Sequence, residues 1–182
     1  MRCIVAVILI GASILSPPKV IAGDFFVPNS GTVPPFVLTA ADGTSVTLKP
    51  SEYSVTIVHF FTTWCEPCVA EMPALRRFAK RIDPLSVRIL AISVAEPDLR
   101  VRRFAQSAPS SFPILLDRDG AVARAWQVSS LPSTIILDRR LEQRLAAERE
   151  LDWDRIEVGQ LLDSASSVVE RPDVEAGNGE KR

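Results

Sequence analysis

The segment that constrains this chain most is a run of eight residues that ends three positions before a cysteine. Val55-Thr56-Ile57-Val58-His59-Phe60-Phe61-Thr62 is almost continuously β-branched or aromatic. Such a run marks a strand buried on both faces, so the chain has to build layers above and below it. Immediately after it comes Trp64-Cys65-Glu66-Pro67-Cys68, where the pattern turns helical. Pro67 is tolerated in a first helical turn, and Glu66 suits the positive end of a helix. The spacing predicts a helix from Glu66 to about Ile82, kinked at Pro73. Its expected apolar face is Val69, Met72, Leu75, Ala79 and Ile82.

The rest of the chain alternates in the same way. Phe36–Thr39 and Ser45–Leu48 flank a turn at Asp42-Gly43 and predict a hairpin. Val87–Val94 predicts a second buried strand. Pro97 opens a helix carrying Val101, Phe104, Ala105 and Ala108 on one face. Phe112–Leu116 predicts a short strand, followed by the Asp117–Gly120 turn and a short helix to Gln127. Ile135–Leu137 predicts another strand, and Leu141–Leu151 a charged edge strand. Asp154 to about Val169 predicts a closing helix with Ile156, Leu161 and Leu162 inward. Strands alternating with helices define an α/β domain. A reactive group at the carboxyl end of a buried strand lies where such folds place ligands.

Length and charge exclude several classes. At 182 residues there is room for one ordinary domain, and a net charge of −1 gives no reason to expect a nucleic-acid partner. Arg2, the apolar run Cys3–Leu15, and Val20-Ile21-Ala22 before Gly23 predict a secretory signal over residues 1–22. Its alternative is an uncleaved N-terminal anchor, the one membrane attachment the sequence offers. Cleavage would leave 19 bases against 22 acids, a net charge of −3, and two cysteines. The expected organisation is residues 1–22 as signal or anchor, 23–170 as the domain, with an extended lead-in up to Pro35, and 171–182 as a disordered tail.

Two cysteines three apart at a helix start can close a disulfide without distorting the backbone. The first sits where unpaired N–H groups and the helix dipole favour a thiolate. The second, one turn deeper, is placed to resolve a mixed disulfide formed by the first. Competing readings of the pair are a zinc half-site, a structural disulfide and a peroxidatic cysteine. Zinc needs about two more ligands, and the chain offers only His59. A disulfide across so short a loop adds little stability. Thr62, three before Cys65, suits a peroxidase, but peroxiredoxins place a proline where this chain has Val58.

The stretch Val58–Cys68 resembles the active-site segment of the TlpA/ResA-type periplasmic oxidoreductases of the thioredoxin superfamily. Glu66-Pro67 is the ResA-like dipeptide. Glu71-Met72-Pro73, Asp117–Gly120 and Ser130-Leu131-Pro132-Ser133-Thr134 extend the resemblance from about Val33 to Val169. It implies a thioredoxin fold: a central mixed sheet flanked by helices, with an N-terminal β-hairpin extension. It implies Cys65 as the attacking thiolate, Cys68 as the resolving thiol, a cis Pro132 facing them and no cofactor. Trp64 is expected to shield the pair, against a plain packing role. Glu71, on the same helix face as Cys65 and Cys68, is expected to handle their protons; its alternative is a solvated surface acid. His59, six before Cys65, is either a proton relay to Cys68 or a packed strand residue. Glu66 disfavours a thiolate at Cys65 by like-charge repulsion, which points to a reductant. The implied partners are protein thiol or disulfide clients, such as apocytochrome c or a copper-site assembly protein, and a membrane-embedded electron donor. A peroxiredoxin-like peroxidase is the alternative; a copper chaperone is weaker, because no histidine follows Cys68. The sequence departs from the family at Leu141-Glu142-Gln143, where a turn glycine is usual.

Overall fold

The computed structural model describes residues 25–28 and 31–166. The expected signal or anchor over 1–22 and the expected tail over 171–182 lie outside these residues. The described elements are β1 (Phe36–Ala40), β2 (Ser45–Leu48), β3 (Val55–Phe61), α1 (Glu66–Ala79), β4 (Val87–Val94), α2 (Asp98–Ser107), β5 (Ile114–Asp117), α3 (Ala121–Ala125), β6 (Ser133–Asp138), β7 (Gln143–Ala147) and α4 (Val158–Ser166).

The strands form one mixed sheet in the order β2-β1-β5-β4-β3-β6-β7. β3 pairs with β4 in parallel and with β6 antiparallel, so the cysteine-bearing junction rises from the middle of the sheet. Every residue of β3 is buried, as its composition requires. Its alternate side chains enter two cores. Val55, Ile57 and Phe61 pack with Met72, Leu75 and Phe78 of α1 and with Trp153, Ile156 and Leu161. Val58 and Phe60 pack on the opposite face with Trp126, Ala123 and Phe36. The fold is therefore the thioredoxin-type mixed sheet with helices on both faces. The β1–β2 hairpin extends it by pairing β1 with β5.

Three expectations need correction. Val69 is exposed, because the buried face of α1 runs through Cys68, Glu71, Met72, Leu75 and Phe78, a series set by the position of Cys68. The closing helix begins at Val158 rather than Asp154. The residues before it are held by α1 and the residues just past its end: Arg77 grips the Asp154 carboxylate at 2.6 and 3.0 Å, and Arg81 donates to the carbonyls of Trp153 and Ile156. Held in this way, residues 153–155 form a turn and not the first turn of a helix. The last strand is also shorter than Leu141–Leu151. Leu141 sits in its turn with φ 65°, the left-handed conformation that a glycine would adopt freely. Its N–H donates to Asp138 O and its carbonyl accepts from Val33 N, so the missing glycine is replaced by a buried, doubly tied leucine.

Beyond β7 the lead-in forms isolated bridges, Phe26 with Ala146 and Thr32 with Glu142.

Candidate active site

β3 ends at Phe61, the chain passes through buried Thr62 to exposed Trp64, and α1 begins at Glu66. Cys65 is the helix cap, its sulfur accepting from Cys68 N at 3.3 Å, with Pro67 in the first turn. The two cysteines form a disulfide. They differ in access: Cys65 is slightly exposed, whereas Cys68 is fully buried. A sulfur that a partner can reach and one that it cannot is the asymmetry a nucleophile and its resolver require.

Cys65 lines an open groove of about 370 Å³ together with Trp64, Val94, Val128, Ser129, Ser130 and Leu131. The far wall comes from the segment leading to Pro132, which is buried, and the Leu131–Pro132 bond is cis. The groove thus joins the cysteine and proline segments, which lie 67 positions apart in the chain. Trp64 is 67% exposed, so it flanks the groove as a free aromatic surface and has no packing role in the core. Glu66 and Pro67 are exposed beside it.

Behind the disulfide the surroundings change. Glu71 is 2% exposed, which rules out the solvated-acid reading. Its Oε2 accepts from Leu151 N at 2.9 Å and from the indole N–H of Trp153 at 3.1 Å. Burial pushes its carboxyl up to about 7, against those two hydrogen bonds, and the charge of Glu150 pushes in the same direction. His59, fully buried on β3, lies on the same side of the sheet. Its Nδ1 is 3.1 Å from Thr134 Oγ1, and Nε2 is 3.6 Å from Glu71 Oε1. Burial pulls the imidazole down to about 4.

A second buried acid escaped the sequence reading. Glu96 accepts from Thr63 N at 2.8 Å, Thr63 Oγ1 at 2.6 Å and Ser93 Oγ at 2.7 Å. It therefore clamps the residue two before Cys65 to the end of β4. Ala95, at φ 53°, turns the chain to bring it there. The available signal was an acid between a buried strand and Pro97, a weak one. Among the described residues no three His, Cys, Asp or Glu side chains are grouped to hold a metal ion.

With this geometry in hand, comparison with known proteins gives a consistent result. The AhpC/TSA family profile matches residues 30–144. The chain is 37% identical to the thiol-disulfide oxidoreductase ResA of Geobacillus kaustophilus over 111 residues, covering 61% of this chain and 64% of that protein. It is 33% identical to ResA of Bacillus subtilis over 119 residues, covering 65% and 66%. The chain spans just under two thirds of the length of these relatives. The crystal structure of StoA from Bacillus subtilis matches with a TM-score of 0.60 at 23% identity, covering 72% of this chain and 96% of that one, a likeness of fold.

Proposed function

This chain belongs to the AhpC/TSA family, and on that premise we propose that it is an exported thiol–disulfide oxidoreductase that reduces disulfides in client proteins. The observation that carries this reading is the unequal disulfide at the start of α1, with Cys65 in a groove and Cys68 beneath it. The relatives' names point to the same chemistry.

In the reduced protein the Cys65 thiolate attacks a client disulfide lying in the groove. A Cys65–client disulfide forms, and one client sulfur leaves as a thiolate. Glu71, one turn beyond Cys68 on the buried face of α1, takes the Cys68 proton. The Cys68 thiolate then attacks Cys65 Sγ, closes the Cys65–Cys68 disulfide and releases the second client sulfur. Two electrons pass from the protein to the client, and a membrane-embedded dithiol donor restores the pair. Glu66 places an acid where strong oxidants of this kind need a stabilised reduced form, which supports the reducing direction. The clients are extracytoplasmic proteins, of the cytochrome c maturation or copper-site assembly type. Among the described residues no helix is long and apolar enough to cross a membrane.

The test is equilibration of the Cys65–Cys68 couple against a thiol redox buffer, with a C68S variant alongside. The expected potential is near or below about −270 mV, and C68S should accumulate a mixed disulfide with a client peptide. A potential near about −120 mV would make the protein an oxidant. Rapid consumption of hydrogen peroxide by C68S would instead favour the peroxidase reading.

A further inference from the structure

Two buried polar atoms behind the disulfide face each other and have no hydrogen-bond partner. They are Nε2 of His59 and Oε1 of Glu71, 3.6 Å apart. Unpartnered buried polar atoms are uncommon enough that a facing pair calls for a reason. The separation exceeds a hydrogen bond by roughly 0.5 Å. The other end of each side chain is fixed: Oε2 by Leu151 N and the Trp153 indole, Nδ1 by Thr134 Oγ1. Thr134 stands directly opposite His59 in the β3–β6 register.

We propose that His59 is a positioning residue for the proton carried by Glu71: Nε2 and Oε1 close to a hydrogen bond, and the neutral imidazole serves the carboxyl group in both of its protonation states. This rests on the oxidoreductase reading given above. A neutral imidazole has one N–H and one bare nitrogen. When the Thr134 hydroxyl donates to Nδ1, the hydrogen sits on Nε2 and is offered to the Glu71 carboxylate. When Nδ1–H donates to Thr134, Nε2 is bare and accepts from the protonated carboxyl. The Thr134 hydroxyl suits both, because it can turn. In the proton step no electrons move: the proton leaves Cys68 Sγ and arrives on Glu71 Oε1, while the ring hydrogen of His59 shifts from Nε2 to Nδ1, where Thr134 Oγ1 accepts it, so that Nε2 becomes the acceptor for the new O–H.

The surroundings agree with this assignment. With the carboxyl near 7 and the imidazole near 4, His59 stays neutral at the pH where Glu71 changes state. The groups facing the carboxyl are His59 on β3, and Glu150, Leu151 N–H and the Trp153 indole in the segment after β7. Thr134 on β6 faces the far side of the imidazole.

The chain has a single histidine, so ring-¹⁵N-labelled full-length protein without added histidines reports on one imidazole. Its two nitrogen shifts would be followed from about pH 5 to 9 in the disulfide and dithiol forms. The expected result is a neutral ring throughout, with a step in the Nε2 shift at the Glu71 midpoint. That step should vanish in E71Q, and its midpoint should differ between the two redox forms by roughly 0.5 or more. In parallel, H59N, whose amide is too short to span the gap to Glu71, should move the break in the pH profile of thiol exchange, and H59Q, whose longer side chain carries the same donor and acceptor nearer to Oε1, should restore it. Flat shifts, or a step that persists in E71Q, would overturn the proposal. An H59N profile superimposable on the original would do the same. If H59N does not fold, the shifts of the unsubstituted protein and of E71Q decide the question alone.

Discussion

Glu71 and Glu96 are both buried acids beside the same cysteine motif, yet their surroundings differ in kind. Glu96 has both oxygens engaged by three donors, two of them from Thr63. Glu71 has one oxygen engaged by two donors and the other unpartnered. A carboxylate with its acceptors filled is a fixed brace, and removing it strands its donors. A carboxyl with one side open can gain and lose a proton at modest cost. Burial alone therefore does not tell the two acids apart; the incomplete hydrogen bonding of Glu71 does.

That contrast can be broken or sharpened by substitution. The largest effect is expected from Glu96→Ala, which leaves Thr63 N–H and two hydroxyls without their acceptor. It should lower the unfolding free energy by about 4 kcal/mol and raise the hydrogen-exchange rate of the Thr63 amide. A loss under about 1 kcal/mol in urea titration would mean that water replaces the carboxylate and that the brace is dispensable.

Glu71→Gln comes next, and its effect should depend on pH. The folded protein holds the Glu71 proton up to about 7, whereas the ordinary value is 4.5. Between those values the native state binds more protons than the unfolded chain, so this acid's contribution to stability is full below 4.5 and declines as pH rises to 7. The decline amounts to about 3 kcal/mol. E71Q should therefore gain that much relative to the original protein between pH 4.5 and 8, as read by urea midpoints. His59 acts in the opposite direction: its folded value near 4 lies below the ordinary 6.5, so its contribution is lost as pH falls from 6.5 to 4. In E71Q this second slope should stand alone. A difference between E71Q and the original that is constant with pH would contradict the account of Glu71.

Trp153→Phe removes one of the two donors on Glu71 while keeping a ring against Phe78, which lies 5.1 Å away. It should cost about 2 kcal/mol, partly from lost volume, and move the carboxyl midpoint above 7 in carboxyl-carbon NMR. An unmoved midpoint would show that the indole does not hold the charge. The smallest change is Ser93→Ala, which takes one of three donors from Glu96. It should cost about 1 kcal/mol in thermal or urea unfolding and leave the pH profile of exchange unaltered. A shifted profile would mean that the brace at Thr63 also governs exchange at the cysteines.

Much of this architecture was legible because it is local. The run Val55–Thr62 and the cysteine pair lie within fourteen positions, and Val87–Val94 forms a strand with the bounds that its pattern gives. What escaped detection depends on distant partners. Glu71 could be read from the sequence as a proton-handling group or as a surface acid, because the donors that bury it lie 80 and 82 positions downstream. Glu96 was invisible because Thr63, its main partner, lies 33 positions upstream. The start of α4 was misplaced for the same reason: Arg77 of α1 and Arg81 just past its end hold Asp154 and the Trp153 carbonyl. Local propensity cannot register a competitor that arrives only after folding.

The lead-in before β1 has a consequence for behaviour at high concentration. Phe26 and Ala146 exchange both backbone hydrogen bonds, at 2.8 Å each, and Thr32 bridges Glu142. These contacts occupy positions on the outer side of β7 that would otherwise be open to a strand from another molecule. The opposite edge, β2, is only four residues long and is a poor template for addition. The sheet thus carries its own protection against edge-to-edge aggregation, and on the β7 side that protection comes from a segment whose composition suggested only a connector.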